Sequence, residues 1–373
     1  MRELNNNAAA FLELVRAGLW EKEALLASYG RIDYATIYSL AEEQSVVGLV
    51  TAGLEQVKDV NVPQEWTLQF IGGTLQIEQR NKAMNGFVEK LISMLREAGV
   101  YTLLVKGQGI AQCYEKPLWR SSGDVDLFLS QENYLKAKEL LTHYASYTEE
   151  EDKKNLHFAL TIDKWVVELH GKLHCGISWS AEKGMEKIKE DIFCYGNVRS
   201  WMNGKTQVFL PDVTNDVIII FTHILQHFFY GGIGLRQVCD WCRLLWTYRE
   251  EIDVDILKKR ICEMGLTCEW KALAALTVDY LGMPAEVILF YSSSNRLKWR
   301  AKKILSIFFE TGNFGHNRDM SYYEKYPFVV NKAFSLWRNT WDCMRLFLIF
   351  PKNAIFVWFK RLFEGVKVAA KGI

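Results

Sequence analysis

The sequence lacks an excess of charge of either sign: 45 Lys and Arg residues stand against 44 Asp and Glu residues, for a net charge of +1. It therefore lacks the strongly basic balance of a protein that binds nucleic acid over its whole surface. Proline is scarce, with six residues among 373, which argues against collagen-like or proline-rich linker architectures. Because 49% of the residues are hydrophobic and the net charge is near zero, we expect folded domains rather than disorder.

Long apolar runs are also missing. No stretch of about 18 uncharged apolar residues occurs, and the closest approach, Leu346–Phe359, is interrupted by Lys352 and Asn353. The N-terminal residues lack the basic end and the continuous apolar run of a secretory signal. Eight cysteines are scattered along the chain, unlike the dense framework of a small disulfide-bonded domain. We therefore expect a cytoplasmic protein with reduced thiols and no transmembrane segment.

Hydrophobic periodicity divides the chain into three regions. Apolar residues recur at helical spacing through residues 1–98, and they do so again through residues 211–373. Between them, residues 99–210 show short apolar runs and alternating patterns that are typical of strands. The fold class predicted is α+β, with a small mixed-sheet α/β domain flanked by N- and C-terminal helical regions.

The middle region contains the predicted strands. Two of them, residues 100–105 and 124–129, enclose a glycine turn and a short helix. Residues 156–162 and 165–169 form a further pair, separated by Asp163-Lys164, which we interpret as a tight hairpin. Residues 198–201 and 206–210, on either side of Asn203-Gly204, extend the same sheet.

Three acidic residues of this region have the spacing of a metal site. Asp124 and Asp126 are two residues apart in a strand, so their carboxylates point to the same face. Two adjacent carboxylates repel each other, and a hard divalent cation is the usual stabiliser. Glu168 lies inside an apolar strand, where an acid is costly without a partner. If the two strands are neighbours, three carboxylates surround one or two Mg²⁺ ions, and His170 lies on the Glu168 face of its strand.

The glycine turn supplies groups suited to phosphate. Gly107 and Gly109 would let backbone N–H groups approach phosphate oxygens at the start of a helix. Lys106, Arg120 and the hydroxyls of Ser121 and Ser122 are close in sequence and could bind or neutralise phosphates. Carboxylates, cations and a phosphate-binding turn in this order are the layout of metal-assisted nucleotidyl transfer.

The same residues resemble a known family. Leu104-Val105-Lys106-Gly107, followed by Tyr114, Pro117 and Arg120 and then by Gly123-Asp124-Val125-Asp126-Leu127, is similar to the signature of the uncharacterised bacterial nucleotidyltransferase family. That family belongs to the DNA polymerase β-like nucleotidyltransferase superfamily. The common superfamily turn is Gly followed by Ser or Gly, whereas here Lys106 precedes Gly107 and Gln108 follows it.

The resemblance implies a reaction and a set of site residues. The reaction is transfer of a nucleoside monophosphate from Mg²⁺-NTP to an acceptor hydroxyl, with release of pyrophosphate. Asp124, Asp126 and Glu168 would be the catalytic and metal-binding residues. The predicted nucleotide-binding residues are Lys106, Gly107, Gln108, Arg120, Ser121 and Ser122.

The acceptor stays open between a small molecule, a protein and RNA. Two alternatives remain on the same fold. One is a non-catalytic protein that binds a nucleotide or RNA. The other is a toxin-type nucleotidyltransferase that acts on tRNA or protein.

Other residues have competing interpretations. His223 and His227 share one face of a predicted helix, which favours core or helix-packing residues over a metal pair. With Arg236 and Asp240 they could instead line the nucleotide or acceptor side of a cleft. Cys239 and Cys242 lie within a helical pattern, so two small buried residues are favoured over a zinc or redox site.

The C-terminal segment, residues 314–373, is aromatic and basic, with ten Lys and Arg residues against four Asp and Glu residues. Packing on the domain is the favoured interpretation, because Trp and Phe side chains supply large buried areas. An RNA or a phosphate-rich acceptor is the second choice. Contact with a membrane surface is not favoured.

Overall fold

The computed structural model describes residues 5–313 and 328–370 and has the predicted α+β architecture. Its helices in these ranges are α1 (Asn6–Trp20), α2 (Tyr34–Glu43), α3 (Val47–Leu54), α4 (Gln64–Glu97), α5 (Gly107–Ala111), α6 (Gln131–Thr142), α7 (Trp179–Phe193), α8 (Val213–Tyr230), α9 (Leu235–Thr247), α10 (Val254–Glu263), α11 (Thr267–Leu281), α12 (Asn295–Thr311), α13 (Phe328–Ile349) and α14 (Pro351–Ala370). The strands are β1 (Leu103–Val105), β2 (Val125–Phe128), β3 (Tyr147–Thr148), β4 (His157–Ile162), β5 (Trp165–His170), β6 (Val198–Asn203) and β7 (Thr206–Pro211). Short 3₁₀ helices cover Ala27–Tyr29 and Pro117–Trp119.

The seven strands form one mixed sheet in the order β3-β4-β5-β2-β1-β7-β6. Neighbouring pairs are antiparallel except β2–β5 and β1–β7, which are parallel. The predicted hairpin at Asp163-Lys164 is confirmed. The hairpin predicted at Asn203-Gly204 also forms, but Asn203 pairs with Thr206, so its two-residue turn is Gly204-Lys205. The first strand is shorter than predicted, because only Leu103–Val105 lie opposite residues of β2.

Each face of the sheet packs against a different hydrophobic core. Leu104, Leu127 and Leu169 point to a core that contains residues of α4 and α6. Val105 and Phe128 point to the opposite face, where the core includes residues from the N-terminal and the C-terminal helices alike. The side on which a carboxylate emerges from these strands therefore decides whether it meets α4 or the helices after residue 211.

Local sequence signals set several helix ends. Helix α4 begins at Gln64, directly after Pro63, and ends at Glu97, two residues before Gly99, which has φ +72°. The Ser130 hydroxyl accepts a hydrogen bond from the Asn133 N–H and caps α6. Asp212 caps α8 in the same way, through the N–H groups of Thr214 and Asn215.

The C-terminal helices α13 and α14 combine buried and exposed aromatic residues. Phe350, which joins the two helices, and Val357 of α14 are buried in the helical core, as the packing interpretation predicts. Trp337, Trp341 and Phe359 are each more than half exposed, so packing accounts for only part of the aromatic content. The basic residues Arg318, Lys325 and Lys371 and the acids Asp319 and Glu324 lie outside the described residues.

Within the described ranges, every helix is too short or too polar to cross a membrane. The boundaries predicted at residues 98 and 210 fall next to the ends of α4 and β7. Whether they separate units that fold independently stays a prediction.

Candidate active site

The parallel pairing of β2 with β5 brings the predicted carboxylates together. Asp126 is directly opposite Glu168 in the register, and residues opposite each other point to the same face. Asp124 lies two residues before Asp126, on the edge of the same cavity. All three acids therefore emerge on the face of the sheet that meets the C-terminal helices.

Lys106 and His170 both contact the buried carboxylate of Asp126. The Lys106 ammonium donates to Asp126 Oδ1 at 3.0 Å, and His170 Nε2 is 2.9 Å from the same oxygen. Lys106 has φ +60° and ψ −147°, a backbone conformation that favours glycine and costs about 1–3 kcal/mol for other residues. Strain of this kind is common in ligand-binding turns.

A second imidazole approaches Glu168 from β4. His157 is directly opposite His170 in the β4–β5 hairpin. Glu168 Oε2 is 3.3 Å from His157 Nε2 and 3.4 Å from His170 Nε2. One ligand atom from each of these three residues lies within 4.8 Å of the other two. Sequence reasoning missed His157, although the predicted Asp163-Lys164 hairpin already implied that residue 157 faces residue 170.

These side chains line a cavity of about 390 Å³. The sheet contributes Lys106, Gly107 and the three acids, while α8 and α9 close the opposite side. The cavity-lining residues from those two helices include His223, Gln226, His227, Arg236, Gln237 and Asp240. A concave site lined by convergent charged groups has the form of a ligand-binding site.

Negative charge accumulates at one end of this cavity. The neighbouring Asp126 charge, together with burial and Glu168, raises the pKa of Asp124 to about 6. Burial opposes ionisation of Asp126 and Glu168, but their cationic and hydrogen-bonding partners outweigh it and lower both pKa values. For Asp126 the partners are Lys106 and His170, and for Glu168 they are His157 and His170.

The charge imbalance and the donor set fit a divalent cation. The carboxylates of Asp124, Asp126 and Glu168 converge with the ammonium of Lys106, and Arg236 faces Asp124 from α9. The repulsion from Asp126 and Glu168 that raises the pKa of Asp124 is the kind that a bound divalent cation relieves. Carboxylate oxygens are the ligands that Mg²⁺ takes in proteins that bind NTPs.

Arg120 was predicted to bind phosphate, but in the structure its guanidinium contacts other protein groups. Its Nε and Nη2 donate to the two oxygens of Asp240 at 2.8 and 2.7 Å, and both side chains are buried. Its Nη1 donates to the Ser121 carbonyl and to the Ser122 hydroxyl. Arg120 reaches the cavity wall, but its donors are engaged within the protein.

Gln108 supports the loop rather than lining the cavity. Its side chain is buried and donates to Asn81 of α4 at 3.2 Å. Asn81 in turn donates to the carbonyls of Leu118 and Arg120. Ser121 and Ser122 are also absent from the cavity wall among the described residues. Of the predicted nucleotide-binding residues, the structure therefore brings Lys106, Gly107 and Arg120 to the cavity.

Arg236 of α9 is a second guanidinium on the cavity wall. Its Nη1 donates to the Ser121 carbonyl at 2.8 Å, while its buried Nε has no hydrogen-bond partner among the described residues. Burial and the nearby Arg120 charge lower the pKa of Arg236. An anion in the cavity would offset the repulsion between the two guanidinium groups.

The histidines of α8, His223 and His227, line the cavity together with Arg236 and Asp240, as the alternative interpretation of these residues expects. Their rings contact each other with centroids 4.4 Å apart. Burial lowers the pKa of His227 to about 4, and it lowers that of His223 well below its usual value. Cys239 and Cys242 are fully buried in the helical core, as predicted.

A sheet that presents paired carboxylates to a cavity with basic walls is the arrangement of a nucleotidyltransferase. Residues 30–282 match the model of a family described as uncharacterised nucleotidyltransferase. This match spans more than half of the chain, so the protein belongs to that family, and the resemblance drawn from the sequence is confirmed. None of the curated proteins and none of the solved structures matches the chain.

Proposed function

We propose that this protein transfers a nucleoside monophosphate from an NTP to an acceptor hydroxyl, with release of pyrophosphate. The observation that carries the proposal is the β2–β5 register, which aligns Asp126 with Glu168 beside Asp124 at one cavity. Nucleotidyl transfer needs such a convergence, because the acids would hold the divalent cations that neutralise the reacting phosphate while the acceptor oxygen approaches it.

The side chains have distinct proposed roles. Asp124, Asp126 and Glu168 would hold Mg²⁺, which in such sites neutralises the triphosphate and stabilises the departing pyrophosphate. Glu168 could serve as a cation ligand or as a base, and its lowered pKa favours the ligand.

Two cationic side chains are suited to the triphosphate. Lys106 is at the carboxylate end of the cavity, and Arg236 lines the α9 wall, where burial and the Arg120 charge disfavour a positive charge that has no anion beside it. Arg120 would act indirectly, by fixing the loop before β2 through Asp240. Gly107, with φ +44°, lines the cavity beside Lys106, where backbone can approach a phosphate closely.

Thermal unfolding with each NTP, with and without Mg²⁺, tests the donor site. A ligand that binds the native state stabilises it by mass action and so raises the melting temperature. At a ligand concentration 100 times the Kd, the free energy of unfolding increases by about 2.7 kcal/mol. We expect a shift that requires Mg²⁺ in the wild type and that Asp124→Asn abolishes. Asp163→Asn is the matched control, because it makes the same change in the exposed hairpin turn of the same sheet.

Transfer itself is measured with α- and γ-labelled NTP and candidate acceptors. Label should move to the acceptor only from the α position, and pyrophosphate should appear in equal amount. Equal nucleotide binding in wild type and Asp124→Asn would refute the proposed donor site. Binding without release of pyrophosphate with any acceptor would favour a nucleotide-binding protein instead.

A further inference from the structure

We propose that His157, Glu168 and His170 form a site for a divalent transition-metal ion. It shares Glu168 with the all-oxygen site proposed for Mg²⁺, but its chemistry differs, because its other two ligands are imidazoles. Neutral imidazole nitrogens suit ions such as Zn²⁺, Co²⁺ and Mn²⁺, whereas Mg²⁺ prefers oxygen ligands.

The distances bring the three donors to one point. Both imidazole Nε2 atoms approach the same oxygen, Glu168 Oε2, at 3.3 and 3.4 Å. The ring centroids of His157 and His170 are 4.9 Å apart. Zinc bonds to nitrogen and oxygen of about 2.0–2.2 Å require ligand atoms that are at most about 4.4 Å apart. With every separation within 4.8 Å, small side-chain movements are enough.

The three side chains belong to two paired strands. All three residues lie on β4 and β5, and His157 and His170 are a cross-strand pair. Glu168 lies opposite Ala159, whose small side chain leaves room above the strand pair. Sites on paired strands hold their ligands more accurately than sites on loops.

The cluster also opens to the cavity. The side chains of His157, Glu168 and His170 are 36%, 27% and 14% exposed, so an ion can reach them. Three protein ligands leave coordination positions open, which is typical of catalytic rather than structural metal sites. An open position would be available to the acceptor hydroxyl. This role of the metal ion rests on the nucleotidyl transfer proposed above.

A simpler explanation is that the two histidines only position carboxylates, His157 by its contact with Glu168 and His170 by its contacts with Asp126 and Glu168. Substitution by glutamine distinguishes this explanation from metal binding. The glutamine side-chain amide can donate to a carboxylate as imidazole does, but it is a poor ligand for Zn²⁺. His157→Gln and His170→Gln therefore preserve positioning and remove a metal ligand. His174→Gln is the matched control, since His174 lines the same cavity but pairs with Glu182.

The test uses the full chain freed of metal with a chelator, without nucleotide. Zn²⁺ affinity is measured by competition with a chromophoric chelator, and the electronic spectrum of Co²⁺ reports nitrogen ligation. We expect one Zn²⁺ per chain in the wild type, in His174→Gln and in Asp124→Asn, with no displacement by excess Mg²⁺. His157→Gln and His170→Gln should each lose at least the roughly 10–100-fold affinity that even an outer ligand partner contributes.

Two results would overturn the proposal. One is the absence of Zn²⁺ and Co²⁺ binding to the wild type, and the other is unchanged binding in both glutamine variants of the cluster. Since the measurement involves no NTP, it is independent of nucleotidyl transfer. Zinc binding without Mg²⁺-dependent NTP binding would contradict only the proposed function.

Discussion

At the scale of single residues, Asp124 shows how a binding site destabilises the fold that carries it. The charges of Asp126 and Glu168 and partial burial make its ionised form unfavourable, which raises its pKa from 3.8 to about 6. The native state therefore binds a proton at Asp124 more tightly than the unfolded chain does. It follows that lowering the pH from above 6 to below 4 relieves a destabilising interaction at this residue.

Asp124→Asn should stabilise the metal-free protein at neutral pH. A difference of about two pKa units corresponds to an upper limit of about 3 kcal/mol, and solvent screening reduces this to about 1–2 kcal/mol. Urea unfolding at pH 7.5 and at pH 4 measures the effect, with Asp163→Asn as the control. The stabilising effect should be present at pH 7.5 and nearly absent at pH 4. A variant less stable than the wild type at pH 7.5 would contradict the electrostatic account.

At the scale of elements, two glycines determine how closely α1 and α3 pack. A Cβ on Gly18 would overlap the Leu49 carbonyl oxygen, and a Cβ on Gly53 would overlap the Leu14 carbonyl oxygen. The two backbones are therefore in direct contact, without intervening side chains.

Gly18→Ala should destabilise the protein by about 1–3 kcal/mol, the usual cost of overpacking, although alanine favours the helix itself. Gly86→Ala in α4 is the matched control, since no atom lies within 4 Å of the position that its Cβ would occupy. In Gly86→Ala the higher helix propensity of alanine is not opposed by overpacking, so we expect about 0.5–1 kcal/mol of stabilisation. Chemical denaturation of both variants measures the difference, and equal effects would argue against the close packing of α1 on α3.

At the scale of the whole molecule, one buried ion pair joins the sheet to the C-terminal helices. Arg120 precedes β2, and Asp240 lies on α9, where it also accepts a hydrogen bond from the Tyr114 hydroxyl at 2.8 Å. Loss of one partner leaves the other charge buried without compensation, which costs more than the pair itself contributes.

Asp240→Leu should therefore destabilise the protein by about 3–5 kcal/mol, and Arg120→Leu/Asp240→Leu should recover part of that loss. Glu132→Gln removes the exposed pair with Lys136 and should cost no more than about 0.5 kcal/mol. A double-mutant cycle from urea unfolding measures the coupling. A double variant as unstable as the sum of both single variants would show that the two residues act independently.

The molecule as a whole shows which features were accessible from sequence. The Asp163-Lys164 hairpin depends on neighbouring residues and was predicted, and the cap at Ser130 and the end of α4 before Gly99 are equally local features. His157 could also have been found, because a two-residue turn at 163–164 pairs residue 157 with residue 170.

Alternation along the chain was enough to direct Asp124 and Asp126 to one face of a strand, and the motif around them was enough to indicate the family. The neighbours of those acids were decided only by the tertiary structure, because strand order and the packing of α8 and α9 join residues that are distant in sequence. Arg120 was predicted to bind phosphate, yet its partner Asp240 lies 120 residues away and engages it. The same packing brings Arg236, His223 and His227 to the cavity. The sequence by itself thus determined the type of chemistry at this site, and the fold decided which side chains are available for it.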